Sequence, residues 1–211
     1  MSTNRSYGDA CGIARALDVV GERWALLIVR ELLLGPQRFS DLRRALPAAS
    51  SNIVADRLRE LEGHAVLGRR PLPPPAASSV YELTARGRKL EPIVLALGAW
   101  GLEVPLPPAA QVSPVSILLF LRGSLRPGPR APAVRYRLEV DGGVWTVEIV
   151  AGHVDIRPGE PTAPVAELCA SAATLNAVLT GQASFDASLA DGTVTVAGDL
   201  GAARRLLNAA I

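Results

Sequence analysis

Asn52, Asp56 and Arg59 are spaced four and then three residues apart in the run "SNIVADRLRELE". In a helix that spacing puts all three side chains on one face. An amide pairs bidentately with adenine, and a guanidinium with guanine or with a phosphate. Such a face suits recognition of a duplex groove. Ser50 stands just before the run and Ser51 opens it, where a serine hydroxyl caps a helix and free N–H groups suit a phosphate. Ile53, Val54, Leu58 and Leu61 cluster on the other side and are expected to pack inward. Arg57 projects near that buried edge. Two roles fit it: a phosphate contact, or a structural ion pair with an acid such as Asp41. A solvated charged helix in an ordinary bundle has the same pattern, so the surrounding elements must decide.

Those elements begin with two apolar-rich helices, "CGIARALDVVG" and "WALLIVRELLLG", the second stopped by Gly35-Pro36. "RFSDLRRAL" predicts a short third helix starting at Arg38 and ending before Pro47. The fourth helix, capped by Ser50 or Ser51, runs to about His64. "VLGRRPL" and "SVYELT" predict two strands joined by the proline-rich "PPPAAS". Thr84 can cap a final helix, "ARGRKLEPIVLALGAWGL". Helix, tight turn, helix and hairpin is the order of a winged helix-turn-helix, in which one helix enters the major groove. Arg69 and Arg70 fall at the base of the wing, where phosphate contacts fit. The wing tip itself carries no basic residue.

Residues 103–114, "EVPLPPAAQVSP", contain four prolines and predict a linker. The expected organisation is a DNA-binding and dimerisation domain over 1–102 and an α+β domain over 115–211. Residues 1–102 carry 14 basic against 10 acidic side chains, and 103–211 carry 8 against 10. The two halves therefore suit different partners, though the basic excess is a modest signal for nucleic acid. After the linker, "SPVSILLFLRGSL" predicts an apolar helix. "VRYRLEV", "VWTVEIV" and "HVDIRP" predict a three-strand meander with Asp141-Gly142-Gly143 at its first turn. Helix, strand and a terminal helix capped by Asp199 follow.

The N-terminal dozen residues lack an apolar signal-peptide core, and the longest apolar runs are far too short to span a bilayer. A cytoplasmic protein with reduced thiols and no membrane partner is expected. Cys11, in "GDACG", lies near a helix N-terminus, which favours the thiolate, while Arg15 and Asp18 leave the local field ambiguous. A buried, inert cysteine is the alternative. Cys169 sits in an apolar strand-like run and is expected in the core. His64 and His153 are the only histidines, one in each half, and neither has a partner at metal-ligand spacing. No Gly-rich phosphate loop or nucleophile elbow is present, so no cofactor, metal or catalytic chemistry is expected.

The first half closely resembles the HxlR family of bacterial winged-helix regulators, relatives of the MarR group. The resemblance rests on a cysteine ahead of "ALD", on "GERW", on "RFSDLRRALP" and on "VADRLRELE", and it runs from residue 11 to about 90. It implies a homodimer on a double-stranded DNA operator, acting as a sequence-specific transcriptional regulator and most commonly a repressor. The dimer contact it implies lies in the N-terminal segment and in "KLEPIVLALGAW". There Ile93, Leu97 and Trp100 recur at helical spacing, which independently suggests a buried seam. In some members the cysteine matching Cys11 senses oxidants or electrophiles. The second half resembles a sterol carrier protein-like domain from "YRLEVDGG" to "TVTVAGD", which implies a small α+β fold around an apolar tunnel. A hydrophobic small-molecule effector is the expectation, with Leu118, Phe120, Leu138, Trp145 and Val147 as candidate lining or ordinary core. Two other readings stand beside this one: a hydrophobic-ligand carrier whose winged helix serves protein contacts, and a regulator switched through Cys11 alone.

Overall fold

The computed structural model describes residues 6–73, 78–105 and 110–208. The chain divides into two compact units, Met1–Val104 and Pro105–Ile211. The expected linker lies between helices that end at Gly101 and begin at Pro114. Its residues 106–109 lie outside the described residues.

Unit 1 runs α1 (Gly12–Val20), α2 (Ala25–Leu32), β1 (Gln37–Arg38), α3 (Phe39–Ala45), α4 (Ser51–Gly63), β2 (Leu67–Pro71), β3 (Ser79–Leu83), α5 (Ala85–Arg88) and α6 (Glu91–Gly101). The strands form an antiparallel sheet in the order β1-β3-β2. The core gathers Ile28, Val29 and Leu32 from α2, Leu42 from α3, Val54, Leu58 and Leu61 from α4, and Val66, Leu67 and Leu83 from the sheet. Glu31 is buried with them at 1% exposure, and Arg30 neutralises it through a contact of 2.5 Å.

Two boundaries differ from expectation. Arg38 is not helical: it pairs with Val80 in β1, and its N–H donates to Asp41 Oδ2 at 3.2 Å, so α3 begins at Phe39. The final helix is broken in two between Arg88 and Glu91. Pro92 has no N–H to offer the carbonyl of Arg88, so the hydrogen-bond ladder stops there and restarts.

The wing is tied to α4 and α5 at one point. The Val66 carbonyl accepts from Thr84 N at 3.1 Å, and Thr84 Oγ1 caps α5 by accepting from Gly87 N at 3.1 Å. Gly87 lies so close that a Cβ there would meet the Val66 oxygen at 1.9 Å. Gly87→Ala is therefore expected to cost about 1–3 kcal/mol. That corresponds to a fall of about 5–15 °C in the unfolding midpoint of unit 1 by calorimetry.

Unit 2 runs α7 (Pro114–Ser124), β4 (Val134–Val140), β5 (Gly143–Val150), β6 (His153–Pro158), β7 (Ala166–Ala170), α8 (Ala172–Leu179), α9 (Phe185–Ala190), β8 (Val194–Gly198) and α10 (Leu200–Asn208). Its five-stranded sheet has the order β6-β5-β4-β7-β8, with β4 and β7 parallel and the other pairs antiparallel. Asp141 (φ 49°) and Gly142 (φ 76°) form the two-residue turn between β4 and β5, a left-handed pair whose twist suits a hairpin. Tyr136, Leu138, Trp145, Val147, Ile156 and Leu168 share one apolar face. The opposite face carries Arg135, Arg137, Glu139, Glu148, Asp155 and Arg157, joined by ion pairs. Cys169 lies on that outer face, in register with Glu139, and is exposed rather than in the core as expected. Alternation along β7 puts Leu168 inward and so turns Cys169 out. The short helix α9 was not among the expected elements. Ser184 caps it by accepting from Ala187 N at 3.1 Å. Among the described residues no helix is long and apolar enough to cross a membrane.

Hydrogen bonds from Arg135 and Arg157 hold the Glu148 carboxyl below its usual range, and Arg137 does the same for Glu160. A depressed carboxylate contributes stability above its unfolded pKa and loses it as pH falls through the folded one. Unit 2 should therefore lose thermal stability as pH drops below about 4. The loss should be smaller in Glu148→Gln with Glu160→Gln, and smaller in high salt because the pairs are exposed. Thermal unfolding followed at several pH values checks this.

Candidate nucleic-acid interface

The corner between α3 and α4 is built by backbone and side chain together. Pro47 follows the last turn of α3 and cannot continue its ladder. The Arg43 guanidinium reaches out of α3 to donate to the carbonyls of Leu46, at 3.5 Å, and Ala49. It thereby ties the end of α3 to the turn, where the Leu46 carbonyl also accepts from Ala49 N at 3.1 Å. Sequence reading had missed this role, although a basic residue in the last turn of a helix is its usual signal. Ser50 is the N-cap of α4, its Oγ accepting from Ile53 N at 3.3 Å.

Val54, Leu58 and Leu61 hold α4 in the core, each at 1% exposure or less. The opposite face carries Asn52, exposed, and the ion pair of Asp56 with Arg59. Both members of that pair are open to solvent, with side chains 49% and 74% exposed. Asp56 thus holds the Arg59 guanidinium in place and supplies a charge it must leave, or share, on meeting an anion. Ser51 is exposed in the first turn.

Two expectations about α4 need correction. Ile53 does not pack inward: it is 41% exposed. It lies at the edge of the buried stripe in the first turn, where no element among the described residues covers it. Arg57 is 18% exposed and lies 2.5 Å from Glu60 and 3.5 Å from Glu22, not against Asp41. Asp41 is occupied instead by the Arg38 amide and, at 3.8 Å, by Arg44. The ion pair that Arg57 makes is thus with Glu60 and Glu22.

On the wing, Arg69 and Arg70 are exposed on the edge strand β2. Arg69 stacks 6.0 Å from the Tyr81 ring, and Arg70 pairs with Glu82 at 3.3 Å. Arg38, exposed on β1, adds a third cation to the same sheet. Residues 74–77, the expected wing tip, lie outside the described residues.

Elsewhere in unit 1, Ile93, Leu97 and Trp100 are 54%, 48% and 65% exposed on α6, and Ile13 and Leu17 are exposed on α1. Cys11 is exposed at the N-cap position of α1. The backbone amides of Ile13 and Ala14, in the first turn of α1, lower its thiol pKa. A cleft of about 480 Å³ lies beside the same helix, lined in part by Gly12, Arg15, Val19, Val66 and Leu90. In unit 2, Leu118, Leu138 and Val147 are fully buried, Trp145 is 8% exposed and Phe120 is partly buried. Trp145 Nε1 has no hydrogen-bond partner among the described residues.

Residues 19–106 match the family of HxlR-like helix-turn-helix proteins, and residues 130–210 match the SCP-2 sterol transfer family. A regulator from Synechocystis sp., named as the uncharacterized HTH-type transcriptional regulator sll1512, is 36% identical over 94 residues, covering 44% of this chain and 70% of its own. The chain belongs to the HxlR-like helix-turn-helix family. The uncharacterized HTH-type transcriptional regulator YvaP of Bacillus subtilis is 39% identical over 89 residues, or 42% of this chain and 82% of that one. The solved structure of the redox regulator HypR in its oxidized form shares 32% identity and covers 46% of this chain and all of its own, with a TM-score of 0.44. Cys11 lies ahead of the residues matched to the HxlR-like family.

A lowered thiol pKa raises the thiolate fraction of Cys11 at neutral pH. In Cys169→Ser protein, alkylation of Cys11 by iodoacetamide at pH 7 should run faster than that of a cysteine in an unstructured peptide, by a modest factor because nucleophilicity falls with pKa. Its rate should level off at a lower pH than the peptide's. Timed mass spectrometry measures both.

Proposed function

We propose that this HxlR-like protein is a sequence-specific DNA-binding transcriptional regulator. The observation that carries the reading is α4: capped by Ser50, locked into the core by Val54, Leu58 and Leu61, and presenting Asn52, Asp56 and Arg59 to solvent. Asn52 and Arg59 read base edges, with Arg59 handed over from Asp56 as it meets the groove. The free amides of the first turn, with Ser50 and Ser51, receive a phosphate, and Arg38, Arg69 and Arg70 take backbone phosphates along the wing. Arg57 orients α4 through Glu60 and Glu22 rather than touching DNA.

The protein acts as a homodimer in this reading. Ile93, Leu97 and Trp100 on α6, too large and too exposed to be stable in water as a group, form the seam. Two copies of α4 then meet successive major grooves of a pseudo-palindromic operator. Blocking that operator represses transcription, and a protein that meets chromosomal DNA works in the cytoplasm. Unit 2 holds a hydrophobic small molecule against the apolar face that includes Leu138, Trp145 and Val147, and binding there shifts the population of DNA-competent dimers. The lowered pKa and exposure of Cys11 favour a second route, in which oxidation or alkylation of that thiol releases the operator.

Duplexes enriched from a random library by the full-length protein test the main reading. Asn52→Ala with Arg59→Ala should weaken binding to the enriched sequence at least about tenfold, since each good base contact discriminates by about 1–3 kcal/mol. Binding to unrelated duplex should change far less. An unchanged affinity for the enriched sequence would remove α4 as the reading element.

A further inference from the structure

Ile53 is the one large apolar side chain that α4 leaves in solvent among the described residues: it is 41% exposed, while Val54, Leu58 and Leu61 are at 0%, 1% and 1%. It sits in the opening turn, beside Asn52 and one turn before Asp56 and Arg57. Its amide is tied to the Ser50 hydroxyl at 3.3 Å, and its β-branched side chain has little rotamer freedom in a helix. The first turn of α4 therefore presents a fixed apolar surface next to the amide that we read as a base contact.

Ile53 lies on the flank of α4 that also carries Arg57. Arg57, one turn further along it, is engaged by Glu60 and Glu22. In the major groove the base edges offer hydrogen-bond donors and acceptors, with a single apolar group among them, the C5-methyl of thymine. A rigid isoleucine gains nothing from a phosphate, and it leaves base donors and acceptors unpaired if set against them. Against a methyl group it removes apolar surface from water on both sides.

We propose that Ile53 is a specificity-determining residue that packs on the 5-methyl group of a thymine next to the base pair read by Asn52. This rests on the reading of α4 as the DNA-recognition helix. It assigns to the operator half-site a thymine identified through its methyl group and not through a hydrogen bond.

The test uses duplexes selected from a fully random library by the full-length protein. Each thymine of the selected site is replaced in turn by deoxyuridine, which deletes the methyl group and keeps every hydrogen-bonding atom. One thymine per half-site should then matter, its replacement weakening wild-type binding about fourfold, the loss expected for one buried methyl. Ile53→Ala should bind the thymine and uracil duplexes equally, and Ile53→Val should retain most of the discrimination. Because the deletion is made in the DNA, the wild-type result does not depend on how any variant folds. A selected site that lacks thymine overturns the role of Ile53 and leaves DNA recognition standing. Uracil tolerance at every thymine, or equal losses for wild type and Ile53→Ala, would overturn that role in the same way. A library that shows no enrichment overturns both.

Discussion

Three side chains decide what this protein can present to a partner. Val54, Leu58 and Leu61 must be out of water, and together they fix the rotation of α4 about its axis. Once that stripe is buried, Asn52, Asp56 and Arg59 have no choice but to face solvent. Several other contacts in unit 1 serve the position of that helix. The Arg43 guanidinium closes the corner before it, and Arg57 pins its flank to Glu22. Burial of a neutralised Glu31 against Arg30 supports α2 underneath. The contact of Arg57 with Glu22 is worth little as stability, because Glu22 is largely open to water. Its effect is to hold direction.

The wing depends on the same helix through a different device. The chain leaves α4 through Ala65, in a left-handed conformation (φ 55°), and enters β2 directly. The Val66 carbonyl then meets Thr84, and Gly87 clears the space. Hydrogen bonding and close approach at one point thus set where Arg69 and Arg70 stand relative to Asn52 and Arg59. A side chain at position 87 would disturb that relation without touching any exposed residue.

Unit 2 solves a separate problem. Its sheet is apolar on one face and charged on the other, so one layer of helices suffices to cover it. The charged face is held by a lattice of arginines and carboxylates in which Arg137 touches Glu139 and Glu160, and Arg157 touches Glu148 and Asp155. Such pairs contribute modestly in water. They do fix which face of the sheet turns to water and which is packed beneath the helices. Trp145 brings the one unpaired polar group noted there, an indole N–H.

The sequence by itself determined most of the element order, a serine cap at the start of α4, the caps at Thr84 and Asp199, the hairpin at Asp141-Gly142 and the exposed triplet on α4. Each of these is a local matter: a hydroxyl or carboxylate within three residues, a turn that needs positive φ, or a period repeated over several turns. Tertiary structure alone decided the cover over Ile53, the acid that Arg57 meets, the pairing of Arg38 with Val80 and the outward turn of Cys169. A helical period gives direction around an axis, and it is silent on whether a neighbouring element lies in that direction. Ile53 shows the difference: its angle lies at the margin of the buried stripe, but the stripe is covered only where other chain segments reach it. Pairing between strands far apart in the chain, as between β1 and β3, leaves no local trace at all, because it is made by the path of the chain and not by the residues that end up side by side.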